Sequence, residues 1–439
     1  VNSATIAEAM ESVPPSGPSG VRSIGFFRSL GLVDLTALGL NATVGSGIFL
    51  LPDDLFRAMG WLSPLAFLLC ALGLLPVAWC YADAATRTDR TGGPYVYVTS
   101  AFGARAGFVV GWMCFANAAF SFAAVASAAA AYAERLAPNL ASNQRFWAVF
   151  VVLAFGALNY FGARPGAWAV RLFTFGKFAV LILLVSVLLP EVELGRASSH
   201  AALAPSGVAS AIFMALFALQ GFEVVPVPAG EAKAPRRKAP LAILTTLLSA
   251  VLLYVVVQCV LVLSYGKLGV ASDAPLAEAA VALSPGLGIV VAVGALISTL
   301  GFVSGSALGT PRYLFAMAAG GSLPTALAKL HPRFHSPHVA VLATCGLATL
   351  LILPFDYRTL IGMSNVAVAV QYGSTCLAVL RRAWLEVGAP RRRARLFLSV
   401  TGSLASFAIW FAASWQEFLF SAAALLVGLA LSWVSKRAA

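Results

Sequence analysis

Eleven stretches of this chain run for at least eighteen residues without a single Asp, Glu, Lys or Arg. They cover residues 35–52, 58–82, 106–133, 146–163, 201–222, 239–266, 279–311, 336–355, 359–380, 396–416 and 418–435. A twelfth, 172–190, is interrupted only by Lys177. A bilayer-spanning helix needs about 20 mostly apolar residues. The spanning alternative, a closed β-barrel, uses strands of about ten residues with alternating polarity. These runs are too long and too evenly apolar for that. The expected fold class is therefore all-α and integral to the membrane, with twelve transmembrane helices. Only 10% of the residues are charged, against about 25% in a typical soluble domain, so lipid must cover much of the surface.

The loops fix an expected orientation. If the N-terminus is cytoplasmic, 22 of the 29 Lys and Arg lie on the inner side and 6 on the outer. By the positive-inside rule, this places both termini in the cytoplasm of a cell (inner) membrane. The net charge of +12 is then a topology signal, and no nucleic-acid partner is expected. Residues 1–23 lack a signal-peptide pattern and are expected to form a mobile cytoplasmic tail. The six cysteines all fall within apolar runs, without metal or redox spacing. His331, His335 and His338 share one loop, but no carboxylate or Cys lies close. No metal and no cofactor are expected.

Two spans carry a polar, glycine-containing interruption. In the first it is Asn41-Ala42-Thr43-Val44-Gly45-Ser46-Gly47-Ile48-Phe49; in the sixth it is Phe217-Ala218-Leu219-Gln220-Gly221-Phe222-Glu223. Glycine weakens a helix by about 1 kcal/mol relative to Ala. Unwound backbone is tolerated in lipid only where it lines a cavity or meets a partner. Breaks in spans 1 and 6 are what two five-helix repeats predict, and an odd number of spans inverts the second repeat. Matching breaks in inverted repeats point to a transporter's binding site. Glycine also serves ordinary close helix packing, and glycine alone does not separate the two readings.

A broken helix exposes free N–H groups at the start of its second half, where the helix dipole adds positive character. In span 1 these are the amides of Ser46, Gly47 and Ile48. The half ending before a break exposes carbonyls that attract an ammonium. Amides on one side and carbonyls on the other suit a zwitterion, so the chemistry points to α-amino acids.

Lys177 is costly at mid-bilayer, roughly 2.5–3.5 kcal/mol on insertion scales. It either snorkels to the inner interface or faces the bundle. A bundle-facing amine can stand in place of a sodium ion and load and release a proton. Glu223 is either a helix-end carboxylate or a proton-sensitive latch on an inner gate. Asp34, Asp83 and Arg312 lie at cytoplasmic ends of spans, where they can hold helix ends or a closed gate.

These residues resemble the amino acid–polyamine–organocation (APC) superfamily of permeases, over roughly residues 24–435. The motifs are Gly45-Ser46-Gly47-Ile48-Phe49; Gly92-Gly93-Pro94-Tyr95 with Phe102-Gly103 and Gly111-Trp112; Asn159 with Gly162; Gly221-Phe222-Glu223 followed by Glu231 and Pro235; and Arg312 with Gly320, Gly321 and Pro324. These matches, taken together and in order, are specific. The chain departs in having Asp83 where Glu is common near the end of span 2, and Ala229-Gly230-Glu231 where Ala-Glu-Glu is usual.

The resemblance implies a leucine-transporter-like 5+5 inverted repeat. The first repeat is expected over 24–190 and the second over 201–383, with accessory spans 11–12 at 390–435. It implies that a substrate carboxylate meets amides at Ser46 and Gly47, with Gly45 and Ile48 beside them. The ammonium would meet carbonyls near Thr43, Phe217 and Gln220, next to Ala218 and Gly221. It implies a gating aromatic at Phe217, a proton-sensing carboxylate at Glu223 and a sodium-replacing lysine at Lys177. The expected function is secondary active transport of an amino acid by alternating access. Proton-coupled uptake of neutral amino acids, driven by the proton motive force, is the first reading. Sodium-independent exchange (antiport) is the alternative, and a sensor or channel the remoter one. No Walker sequence and no paired catalytic groups within the spans are visible, so neither a primary pump nor an enzyme is expected. Expected partners are amino acid, protons and lipid; the sequence does not specify an oligomeric state.

Overall fold

In a computed structural model the described residues are 28–137, 143–195, 205–269, 275–411 and 415–438. The expected tail at 1–23 and the first residues of the expected second repeat, 201–204, lie outside them. Helices dominate, and among the described residues the sole β-pairing is one isolated bridge, Leu30 with Ala232.

The chain opens with α1 (Leu32–Thr43), the four-residue α2 (Gly47–Leu50) and α3 (Pro52–Met59). Then follow α4 (Pro64–Ala85), α5 (Pro94–Phe102), α6 (Ala104–Leu136), α7 (Gln144–Tyr160) and α8 (Ala163–Leu188). The second half holds α9 (Pro205–Leu219), α10 (Pro235–Ser264), α11 (Pro275–Leu283), α12 (Pro285–Gly309) and α13 (Pro311–Ala319). It closes with α14 (His338–Ile352), α15 (Tyr357–Leu385), α16 (Arg392–Phe411) and α17 (Trp415–Ala438). Many helices start at proline, whose missing N–H is one that the first turn leaves unpaired anyway.

Ten helical segments are long and apolar enough to cross a membrane, so this is a multi-pass membrane protein. The sequence runs anticipated twelve. The two remaining runs hold α7 and α14, at 17 and 15 residues. They are shorter than their runs because Gly162, at φ +116°, redirects the chain after α7, and Pro337 delays the start of α14. Both lie within the bundle: α7 packs on α6 and α14, and α14 on α6.

At the centre, α1 packs against α8, α10 and α12, and α12 also against α6. The hydrophobic window of α6 is 83% buried, whereas those of α16 and α17 are 22% and 17% buried. The last two helices are thus peripheral. They lean on α15, and Trp112 on α6 anchors α17 by donating its indole N–H to the Ala424 carbonyl at 2.6 Å.

One end of the bundle is tied shut by charge. Arg312 and Glu231 form a two-pronged ion pair at 2.5 and 2.9 Å, with Arg312 1% and Glu231 2% exposed. Next to it, the amides of Ser29 and Leu30 donate to the Glu231 carbonyl, and Lys233 N–H donates to Leu30 O. Asp34 accepts from the Gly31 amide and pairs with Arg171; Asp83 pairs with Arg87 and Arg395. Removing one member of a buried pair strands the other charge, at a cost of about 3–5 kcal/mol. Glu231→Ala is therefore expected to lower the thermal midpoint of the purified protein sharply. Adding Arg312→Met to it should recover part of the loss. An unchanged midpoint in the single variant would rule out a structural ion pair here.

Candidate functional site

The two interruptions read from the sequence are real breaks, and they touch. Helix α1 ends at Thr43, residues 44–46 leave the helical path, and α2 begins at Gly47. Helix α9 ends at Leu219. Beyond it the chain does not resume an α-helix. It runs as single 3₁₀ turns at Phe222–Val224 and Ala229–Glu231, with Pro226 and Pro228 between them, which deny the donors and dihedral freedom a helix needs.

Gly221 sits at φ +135°, a conformation that L side chains rarely adopt. A Cβ there would collide with the backbone N of Thr43 and stand 2.6 Å from the carbonyl carbon of Ala42. At Gly47 a Cβ would lie 3.0 Å from the Cβ of Ala218. The breaks approach this closely only because both positions lack a side chain.

Buried backbone groups must find partners, and those of the first break divide sharply. The carbonyls of Asn41 and of Thr43 to Gly45 are taken, whereas Ala42 O receives no donor among the described residues. Thr43 O accepts from Tyr254 Oη at 2.8 Å and from the Gly45 amide. Ser298 Oγ lies 3.0 Å from Val44 O and 2.8 Å from Gly45 O. Lys177 Nζ donates to Asn41 O at 3.1 Å, to Ser298 O at 3.2 Å, and to Val44 O. The amine does not snorkel: Lys177 is fully buried, with three carbonyls within hydrogen-bond reach of its Nζ. Gly301 makes room for it, since a Cβ there would press within 3.3 Å of Lys177 Cε. Asn41 adds a clasp from its own Nδ2 to Gly301 O.

The amides behave oppositely. Among the described residues, those of Ser46, Gly47 and Ile48 meet no acceptor. In the second break the unpaired groups are carbonyls. Leu216 O receives the Gln220 amide, but the carbonyls of Phe217, Ala218 and Leu219 receive no donor among the described residues. Free donors and free acceptors thus lie at the two touching breaks. The Thr43 carbonyl, expected to help with an ammonium, is already engaged by two donors.

Thr43, Gly45, Ser46, Gly47, Phe217, Gln220, Gly221 and Glu223 line one small cavity. Ile48 and Ala218 are buried behind its wall. Its other walls were not individually legible: Asn117 and Ser121 from α6, Phe302, Gly305 and Ser306 from α12, and Tyr313. An Asn and a Ser inside an Ala- and Phe-rich run were the available signal. Glu223 is buried at the edge of the cavity. Its Oε2 accepts from the Gly221 amide at 2.8 Å and from Tyr372 Oη at 2.9 Å. Phe222 stacks on the Tyr372 ring with centroids 5.4 Å apart.

A second cavity of about 1280 Å³ opens at the end of the bundle remote from Arg312, and Phe217 lines both. Two hydrogen bonds join Phe217 at the boundary: Gln220 Nε2 to Asn365 Oδ1 at 2.8 Å, and Ser46 Oγ to Tyr357 Oη at 2.7 Å. The small cavity is therefore separated from the large one by a ring and two polar contacts, and from the opposite face by the Arg312–Glu231 layer.

Residues 30–435 match the model of a family described as amino acid permease. The mouse cationic amino acid transporter 4 is 30% identical over 381 residues, which is 81% of this chain and 60% of that protein; the chain thus spans less than two thirds of that relative's length. An uncharacterized transporter of Mycobacterium tuberculosis is 30% identical over 85% of each chain. A second from the same species is 30% identical over 92% of this chain and 90% of its own length.

Proposed function

The chain belongs to the amino acid permease family, and from that membership we propose that it is a secondary amino acid transporter working by alternating access, with neutral amino acids as substrate and protons as the coupling ion. One observation supports this reading above the others. The unpaired amides at Ser46, Gly47 and Ile48 and the unpaired carbonyls of Phe217, Ala218 and Leu219 lie at two breaks that touch where Gly47 packs on Ala218. An α-amino acid brings a carboxylate for the first set and an ammonium for the second. Helix-terminal amides need no basic side chain to hold a carboxylate.

Phe217, Gln220 and Ser46 form the gate toward the larger cavity, and Glu231 with Arg312 the gate on the other side. With the basic loops inside, the larger cavity is extracellular and both termini are cytoplasmic. The proposed architecture is twelve spans in a 5+5 inverted repeat, with α7 and α14 as its two short members and α16 and α17 as accessories.

Lys177 supplies the coupling. A charged amine has three N–H groups, and three carbonyls receive them. A neutral amine has two and gives up one of these charge-assisted hydrogen bonds, worth about 1.5–3 kcal/mol. That is enough to shift a two-state equilibrium by roughly 10- to 150-fold. Glu223, held by Gly221 and Tyr372, is proposed as the proton-sensitive latch on the second break. The same lysine also serves an ion-independent exchanger, which is the alternative. A cationic substrate is a second reading, favoured by Glu223 at the cavity edge.

The zwitterion requirement is tested by thermal shift on the purified protein. A bound amino acid raises stability by about 2.7 kcal/mol at one hundred times its dissociation constant. The midpoint is expected to rise with at least one neutral amino acid, and to stay level with its methyl ester or its decarboxylated amine. Equal shifts with ester and free acid would contradict carboxylate capture by the break.

A further inference from the structure

We infer that the cavity selects amino acids whose side chain ends in a neutral group that both donates and accepts hydrogen bonds, a carboxamide or a hydroxyl, and that Asn117 and Ser121 are the residues that read it. This rests on the transporter reading above and narrows its substrate class.

Asn117 and Ser121 are four residues apart on α6, so they share one face of the helix. Both line the cavity and are 6% and 8% exposed. Behind them stands Ser364 of α15, fully buried. Its Oγ is 2.5 Å from Asn117 Oδ1 and 2.7 Å from Ser121 Oγ.

The chemistry of these three groups fixes the direction of both bonds. An amide oxygen only accepts, so Ser364 gives its single hydroxyl proton to Asn117. With that proton spent, the Ser364 oxygen can only accept from Ser121. The relay therefore runs from Ser121 to Ser364 to Asn117. Each end is left with one character toward the cavity. Asn117 presents its Nδ2 amine as a donor, with no other partner among the described residues. Ser121 has used its proton and presents only lone pairs.

A donor and an acceptor one helical turn apart match a group that carries the complementary pair. A carboxamide does, and so does a hydroxyl. An apolar side chain would leave the Asn117 amine dry, and a buried unpaired donor costs about 1–3 kcal/mol. That corresponds to roughly 5- to 150-fold in affinity. A lysine or arginine side chain offers donors only and would set them against the Asn117 amine. The one carboxylate at the cavity edge, Glu223, already spends one oxygen on Gly221 and Tyr372.

The test is counterflow into liposomes containing the full chain, with labelled glutamine and labelled serine as probes and unlabelled competitors. Glutamine, asparagine, serine or threonine should compete at least ten-fold better than leucine, valine or lysine. Asn117→Leu keeps the side-chain size and should erase that ranking, with leucine gaining on glutamine. Ser121→Ala, the smaller change, should weaken the polar competitors several-fold and leave leucine unaltered. A ranking led by leucine or by lysine, or a ranking indifferent to both substitutions, overturns this inference alone. Absence of counterflow with every amino acid overturns the transporter reading along with it.

Discussion

Lys177→Ala should reduce accumulation of amino acid against a gradient to the level seen with a protonophore. In the wild type, an inward proton gradient should raise steady-state uptake in liposomes, and external sodium should add nothing. The reason is geometric. The amine bridges the carbonyls of Asn41 and Val44 in the first break to the Ser298 carbonyl of α12. The amine thereby ties the first break to α12. Truncation removes the bridge and strands the Asn41 carbonyl, while Val44 O keeps Ser298 Oγ and Ser298 O, inside α12, keeps its helical partner. At about 1–3 kcal/mol for the stranded group, the break loses its fixed geometry as well as its proton. A Lys177→Ala protein that still concentrates amino acid under a pH gradient would sink the coupling role. One that loses accumulation but retains pH-independent exchange would locate the lysine's role in energy coupling and not in substrate binding.

Gly221→Ala carries the second large expected effect. The residue holds a left-handed conformation at φ +135°, which costs a non-glycine residue about 1–3 kcal/mol. The new methyl would also overlap the Thr43 backbone, which belongs to the opposing break and cannot rotate away. The two breaks must part, and the paired sets of free amides and free carbonyls then no longer span one amino acid. Binding is expected to fall by on the order of 100-fold, from the strain together with the lost register. The amino acid-induced thermal shift should vanish. Gly346→Ala is the control. It is a helical glycine with nothing within 4 Å of a new Cβ, and Ala should be neutral or stabilising by about 0.5–1 kcal/mol there. If Gly221→Ala binds as well as Gly346→Ala, the apposition of the breaks is not what makes the site.

What could be read from the sequence followed from the bilayer. Charge-free runs gave the helices because lipid forbids anything else, and Lys177 stood out because lipid resists it. The glycines at 45, 47 and 221 marked breaks because unwound backbone in lipid is otherwise costly. Other features depend on proximity that no local pattern encodes. Ser298 looks like any small residue in an apolar helix, yet its hydroxyl and its carbonyl both serve the first break. Tyr254 is likewise one aromatic among many until its hydroxyl is seen on Thr43. Asn117, Ser121 and Ser364 form a relay across two helices separated by more than 240 residues. The loss of helix after Leu219 was legible in principle from Pro226 and Pro228. The shortness of α7 and α14 was not legible from apolarity, because Gly162 ends a helix and Pro337 delays one without adding any charge.

Counterflow is the most direct test of the central claim, that two touching breaks bind an amino acid and expose it alternately to either side. The purified chain is placed in liposomes loaded with millimolar unlabelled glutamine and diluted into trace labelled glutamine. The account predicts a transient, saturable overshoot of label above equilibrium that Gly221→Ala abolishes. Label that merely equilibrates without overshoot, or no entry above protein-free liposomes in the presence of a clear thermal shift, would contradict it.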